Sequence, residues 1–372
     1  MVAGLTTACV PVLTITASAL ADGHDLTPGD GVCEMTAGVG DCSLRAAVDE
    51  ANAASGLVQI VLSDGAYELT LPGIDDDNTG GDLDILGDVS IVSASGFFVT
   101  IDGNGIDRVA DVRGNATFTE VTITGGSTPD AGGGIRVSGG TLQLTRSRVV
   151  GNAGGSFGGG VGVFFGFARI QQSLLDNNMS ASGGGLGLFE GTSAFVENST
   201  IANNTADGAG SGPVPGAGGG VFNLGSRLIV TYSTIRNNTA VSGLGGGIHS
   251  RELGATVFGG SSLSAHGVAA DCVAAAAGSN TSGGYSHASD ATCFAGITDV
   301  VGVDPTLGPL GFNGGPTENF EPGPASPLID AIPPVGAPPG FCDGTVPADQ
   351  SGNPRPSDTG CEIGARELGS AT

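Results

Sequence analysis

The stretch GGGLGLFEGTSAFVENSTIANN, residues 183–204, carries the pattern that decides the fold. Three glycines and an aliphatic residue open it, an alternating apolar and polar run follows, and two asparagines close it. Alternation over a few positions is typical of a short strand with one buried face. Glycine and asparagine suit the bends between such strands because both tolerate left-handed backbone conformations.

The pattern recurs along the chain at a nearly constant interval. Three glycines and an aliphatic residue begin at Gly132, Gly158, Gly183, Gly218 and Gly245, in steps of 26, 25, 35 and 27 residues. A second pattern, a serine followed five residues later by an asparagine, recurs with the glycine triplets. Its copies are Ser147 and Asn152, Ser173 and Asn178, Ser199 and Asn204, and Ser233 and Asn238. We interpret residues 208–216, inside the long step, as a looped-out insertion. A fixed period of this length indicates a repeat architecture.

The repeat predicts an all-β fold, a right-handed parallel β-helix with coils of about 26 residues. Each coil would hold three short strands and three bends, and successive coils would pair as parallel strands. We expect the coils over residues 59–270, after an N-terminal cap over residues 22–58. In that cap Ser43 can begin a helix that carries Leu44, Ala47, Val48 and Ala51 on one face. Residues 271–372 lose the repeat and predict an irregular C-terminal cap that bears disulfides.

The first 21 residues predict a signal peptide. They contain no charged side chain and end in Ala19-Leu20-Ala21, which fits a cleavage site before Asp22. An uncleaved membrane anchor is the alternative, since about 20 uncharged residues can span a bilayer. We expect cleavage, no membrane span in the mature chain, and a protein that is secreted or displayed at the cell surface.

The charge of the chain excludes one class of partner. It has 37 acidic and 12 basic residues, all of the latter arginine, for a net charge of −25. A protein that grips nucleic acid needs a basic stripe to neutralise phosphates, and none is present in the sequence. The same field repels polyanionic sugars and anionic lipid surfaces.

Six cysteines would remain after the predicted cleavage. They fall into three neighbouring pairs, Cys33 with Cys42, Cys272 with Cys293, and Cys342 with Cys361. Local disulfides fit an oxidising compartment, although six cysteines allow about 15 pairings. Zinc binding is the alternative, but the sequence has no Cys-x-x-Cys motif and no histidine at ligand spacing.

Motifs at both ends resemble those of bacterial exported proteins. The segment Cys42–Val48 resembles the Cys-Ser-Leu-Arg-Glu-Ala motif, with Ala46 in place of the glutamate. Residues 349–356, 361–365 and 367 resemble the signature of the choice-of-anchor Q domain, with Ser351 where that family usually has arginine and Glu362 where it often has aspartate. The resemblance implies a β-helix exported to the cell surface. It implies no catalytic residues, because the family has no established reaction.

One acidic loop is a candidate metal site. It holds Asp75, Asp76, Asp77, Asp82 and Asp84. Hard cations such as calcium take several oxygen ligands from loops of this kind. The alternative interpretation is a solvated acidic loop that leads into a strand.

Two function classes stay open. We expect a non-catalytic protein, a monomer, that binds a glycan or a cell-surface ligand or has a structural role, because the sequence shows no catalytic constellation. The alternative is a carbohydrate-active enzyme, a polysaccharide lyase or glycoside hydrolase, which rests on analogy with other parallel β-helices.

Overall fold

The fold is the predicted right-handed parallel β-helix. The structure is a computed structural model, and it describes residues 12–74, 76–96, 98–264, 266–267, 269–357 and 359–368. In the described residues, the coils form three long parallel sheets of ten, ten and eight strands, and five coils add a strand to a fourth, short sheet.

The strands stack in register from coil to coil. Sheet one contains Leu13–Ala17, Leu57–Leu62, Asp88–Ser93, Asn115–Thr119, Thr141–Thr145, Phe167–Gln171, Ser193–Glu197, Arg227–Thr231, Ala255–Gly259 and Ser279–Ser282. Sheet two contains Ala66–Glu68, Val99–Asp102, Val121–Thr124, Arg148–Val150, Leu174–Asp176, Thr200–Ala202, Thr234–Arg236, Ser262–Ser264, His287–Ala288 and Val300–Val301. Sheet three contains Leu83–Ile85, Ala110–Val112, Ile135–Ser138, Val161–Phe164, Leu186–Phe189, Val221–Leu224, Ile248–Arg251 and Cys272–Ala275. Sheet four contains Ser127–Thr128, Ala153–Phe157, Met179–Ser182, Thr205–Ala206 and Thr239–Ala240.

Columns of aliphatic side chains fill the interior. In sheet two the column consists of Ile123, Val149, Leu175, Ile201 and Ile235, which pair in register and are fully buried. Alternate residues of each strand face inward, and because the strands stack in register, each inward position forms its own column of side chains. Burial of each side chain contributes about 1.5–3 kcal/mol, which explains how a chain without tryptophan forms a core.

A ladder of asparagine side chains connects the coils at one bend. The Asn178 Oδ1 accepts hydrogen bonds from the backbone N–H and the side-chain Nδ2 of Asn152, both at 3.0 Å. Asn178 and Asn204 repeat the arrangement, and so do Asn204 and Asn238. The bend before sheet three needs glycine, because a Cβ at Gly185 would lie 3.0 Å from the Asn204 amide. The glycine triplet and the asparagine recur together in the sequence because they pack against each other in the structure.

We expect Asn178→Ala to lower the free energy of unfolding by about 2–4 kcal/mol. The substitution leaves the buried Asn152 N–H without a partner and removes the side-chain hydrogen bond to the Val149 carbonyl. Urea denaturation measures the effect. The matched control is Asn177→Gly, at an exposed position with a φ of 52°, where glycine fits. Equal losses in the two variants would contradict a stabilising role for the ladder.

The N-terminal cap contains the predicted helix, Leu44–Ala53. The Ser43 Oγ accepts a hydrogen bond from the Ala46 N–H at 3.0 Å, and Leu44, Ala47, Val48 and Ala51 are buried. Among the described residues it is the sole helix, and at ten residues it is too short to cross a membrane.

The coils extend beyond the expected range of residues 59–270 at both ends. The strand Leu13–Ala17 pairs in parallel with Leu57–Leu62, and the Tyr67 hydroxyl donates to the Ala17 carbonyl at 2.6 Å. This strand lies inside the predicted signal peptide, so a cut after Ala21 would remove it. At the other end the strands continue past the last glycine mark to Val300–Val301.

The C-terminal segment, residues 305–368, folds back along the flank of sheet two. It contains an antiparallel pair, Leu307–Gly311 with Asn319–Pro322. Polar contacts join it to successive coils, and they are Arg148 with Glu318, Gln172 with Asp349, Thr200 with Gln350, Tyr232 with Cys342, and Gly260 with Gly364. The predicted cap therefore binds the side of the solenoid.

All three predicted disulfides are confirmed. They join Cys33 to Cys42, Cys272 to Cys293, and Cys342 to Cys361. Three disulfides in one chain suggest folding in an oxidising environment.

Candidate functional site

A column of charged residues lies on the outer face of sheet three at its N-terminal end. Asp84, Asp111 and Arg136 occupy the same register position in three successive coils. Their strand neighbours face inward, so these three side chains face outward. The next two coils have Gly162 and Gly187 at this position, which ends the column.

Two arginines neutralise the middle aspartate of this column. Arg136 donates to both Asp111 oxygens, at 2.9 and 2.6 Å, and Arg113 donates to Oδ2 at 3.0 Å. Both arginines also contact the carboxylate of Asp76. Burial opposes ionisation of Asp111, but the arginine hydrogen bonds and charges outweigh it and lower its pKa. We call Asp76, Asp82, Asp84, Asp111, Arg108, Arg113 and Arg136 the aspartate–arginine cluster.

Asp82 is a buried member of the cluster whose carboxyl pKa is raised. Its side chain is fully buried, and Oδ2 lies 3.2 Å from Arg108 Nη1. Burial raises the pKa of Asp82 to about 7. The negative charges of Asp84 and Asp111 raise it further, whereas the positive charge of Arg108 lowers it. Its Oδ1 has no hydrogen-bond partner among the described residues.

A cleft of about 300 Å³ opens beside the cluster. Its lining residues are Ile74, Asp76, Asp107, Arg108, Thr128, Pro129, Asp130 and Arg136. The acidic loop supplies one wall with Ile74, which is 86% exposed, and a turn supplies the other with Asp130, whose side chain is 73% exposed. The cleft thus presents both signs of charge, a hydroxyl and two apolar side chains.

The Cys-Ser-Leu-Arg-type motif holds the acidic loop in place. The fully buried Arg45 donates to the carbonyls of Gly81 and Asp82, both at 2.8 Å, and forms an ion pair with Asp22. Asn52 donates to the Asp84 carbonyl at 2.7 Å. The motif therefore acts as a structural anchor for one wall of the cleft.

The structure brings together two of the five aspartates predicted as calcium ligands. Oxygens of Asp76 and Asp84 lie within 4.8 Å of each other and of one from Asp111. Asp77 instead accepts from the Thr79 hydroxyl, Asp82 faces Arg108, and Asp75 lies outside the described residues. Sequence reasoning missed Asp111 and the three arginines. The signal was the coil length, since Asp111 follows Asp84 by one coil.

The calcium hypothesis predicts a cation effect on stability. If calcium binds Asp76, Asp84 and Asp111, we expect excess calcium to raise the melting temperature by about 3–5 °C over chelator. Asp76→Asn should abolish the rise, and Asp77→Asn, at the adjacent exposed position, should retain it. Identical melting curves of the unsubstituted protein in calcium and chelator would contradict calcium binding by these three aspartates.

The raised pKa of Asp82 predicts a pH dependence. Because the folded pKa lies above the ordinary value of 3.8, the contribution of Asp82 to stability is complete below about pH 4 and is lost as pH rises through 7. Asparagine stays neutral throughout. We therefore expect the free energy of unfolding of Asp82→Asn, relative to the unsubstituted protein, to increase from about pH 5 to about pH 8. Asp77→Asn is the control. If the difference in unfolding free energy between Asp82→Asn and the unsubstituted protein changed as little with pH as it does for Asp77→Asn, the raised pKa of Asp82 would be refuted.

Comparisons with known proteins do not assign this chain to a family. No protein-family model and no curated protein matches it. Among solved structures, the crystal structure of pectate lyase Pel9A is similar, with a TM-score of 0.49 and 14% identity over 96% of this chain and 97% of that one. The fold assignment rests on the strand pairing within the chain itself, and the choice-of-anchor Q resemblance stays a prediction.

Proposed function

We propose that this chain is an exported β-helix protein, extracellular or at the cell surface, that binds a glycan in the cleft of the aspartate–arginine cluster without transforming it. The observation that carries the proposal is the cleft itself, in which charged and polar side chains from several coils converge beside apolar ones.

The lining of the cleft matches the chemistry of a neutral sugar. Asp76 and Asp130 can accept hydrogen bonds from hydroxyl groups, and Arg108 and Arg136 can donate to ring and hydroxyl oxygens. Ile74 and Pro129 offer apolar surface to the C–H face of a sugar ring. The net charge of −25 disfavours nucleic acid and polyanionic glycans as ligands.

Binding fits the cluster better than catalysis. Burial raises the pKa of Asp82 to about 7, a value suited to proton transfer near neutral pH, but the side chain of Asp82 is fully buried, so it cannot touch a ligand in the cleft. Asp76, which is exposed, contacts Arg113 and Arg136 and is therefore held as a charge-balanced acceptor.

Export is the part of the proposal that rests on the disulfides and the N-terminal segment. Three disulfides fit a chain that folds outside the reducing cytosol. Residues 1–21 carry the predicted signal peptide, with cleavage before Asp22. We further propose that the protein acts as a monomer.

A carbohydrate-active enzyme is the second candidate, and one observation favours it. The exposed carboxylates of Asp76 and Asp130 line the same cleft. Glycoside hydrolysis needs two carboxyl groups about 5–9.5 Å apart, with a sugar between them. In that case Asp76→Asn and Asp130→Asn would each abolish product release.

The test is retention on a panel of immobilised neutral and acidic polysaccharides, measured together with release of reducing ends and unsaturated sugars. We expect retention on at least one glycan without release. The double variant Ile74→Ala, Asp130→Asn should weaken retention at least about tenfold, because it removes a stacking surface and replaces a charged acceptor oxygen with an amide nitrogen, while sparing the buried ion pairs.

The matched control is Leu253→Ala, Glu252→Gln, which removes an exposed apolar side chain and an exposed acid on a distant coil. This variant should bind like the unsubstituted protein. Product release would replace the binding proposal with the enzymatic one. Absence of both retention and release, or equal loss in the two double variants, would refute a glycan site in this cleft.

A further inference from the structure

A second pocket lies on sheet two, on coils remote from the aspartate–arginine cluster. Arg236 and Ser264 occupy one register position in adjacent coils. Ser289 and Gly302 follow at the same position, since Leu263 pairs with Ala288 and Ala288 pairs with Val301. The side chains shrink from arginine to serine to glycine along this column, which leaves a hollow beside the guanidinium.

The guanidinium of Arg236 differs from most others in the chain. Ten of the twelve arginines form ion pairs within 4.0 Å, and the two others are Arg227 and Arg236. Arg227 is exposed, whereas Arg236 is partly buried and lies 5.5 Å from the centre of the Phe320 ring. Among the described residues no carboxylate pairs with it.

Burial of Arg236 without an ion-pair partner has a cost. Desolvation lowers its pKa, and the more distant charge of Asp304 opposes that effect. A partly desolvated cation gains from a charge-assisted hydrogen bond to an anion. Arg236 Nη1 donates to the Ser264 Oγ at 2.9 Å, so the guanidinium is held in a fixed orientation.

The pocket has room for a ligand of monosaccharide size. It measures about 350 Å³ and is lined by Arg236, Ser264, Ser289, Gly302, Val303, Asp304 and Pro305. Ser264 accepts from Arg236, so its own hydroxyl hydrogen can be donated to a ligand. Asp304 lies on the exposed rim and can accept hydrogen bonds from hydroxyl groups.

We propose that this pocket, the arginine pocket, binds a small polyhydroxylated carboxylate. The ligand carboxylate pairs with the Arg236 guanidinium and accepts from Ser264, and ligand hydroxyl groups donate to Asp304. The inference is independent of the proposed glycan site, because the two sites share no residue and lie on different sheets.

The probes are gluconate and sorbitol, which have the same carbon number and differ at the carboxylate. Isothermal titration of the full chain should show binding of gluconate and none of sorbitol. Arg236→Gln should weaken gluconate binding at least about tenfold, because it removes the cation that pairs with the carboxylate. Arg227→Gln is the matched control, since it removes the same charge from an exposed, unpaired arginine, and it should bind like the unsubstituted protein.

Ser264→Ala provides a second variant in case Arg236→Gln does not fold, and we expect it to weaken gluconate binding about three- to tenfold. The proposal is overturned if gluconate does not bind, if sorbitol binds equally well, or if Arg227→Gln and Arg236→Gln lose the same affinity. A lower melting temperature of Arg236→Gln with unchanged gluconate affinity would also overturn it, since Arg236 would then only pack against Phe320.

Discussion

The asparagine ladder is the contact on which the stacking of the coils depends. The side-chain amide of Asn178, for example, donates to the Val149 carbonyl and accepts from the Asn152 N–H, both on the preceding coil, and it also donates to Asn204 on the next coil. Buried backbone groups at a bend have no partner within their own coil, so the ladder replaces the solvent they lose. It also imposes a constant register, which explains why residues 208–216 lie outside the stack, with Ser211 and Gly216 bonded to Gly155 and Ala181.

A histidine ends the ladder. The Asn238 N–H donates to His266 Nδ1 at 3.2 Å, where the earlier coils present an asparagine oxygen. The acceptor role requires an unprotonated nitrogen. Burial lowers the pKa of His266 to about 3, so the ring stays neutral over the physiological range. A charged imidazolium would offer two donors there and would break the last rung.

The parts of the fold that repeat were predictable from sequence, and those that do not repeat were not. The coil length could be predicted from the recurring glycine triplets, serines and asparagines, because each makes the same contact in every coil. The aspartate–arginine cluster could be predicted only in part. Asp76 and Asp84 are close in the sequence, whereas Asp111 and Arg136 come near them only because the coils stack. Arg236 was equally hidden, because its neighbours Ser264 and Ser289 are one and two coils away. Residues 305–368 contact many coils through unrelated side chains, so no period marks them.

The folded-back C-terminal segment changes how the solenoid can come apart. Coils that touch only their neighbours can fray one at a time from either end. Here a single strap, closed on itself by the Cys342–Cys361 disulfide, is hydrogen-bonded to Gln172, Thr200, Thr234 and Gly260 on successive coils. Loss of any one of these coils strains the strap against the others. The strap thus turns a linear array into a cooperative unit, and because it follows all of the coils in the sequence, that unit is complete only after every coil has been made.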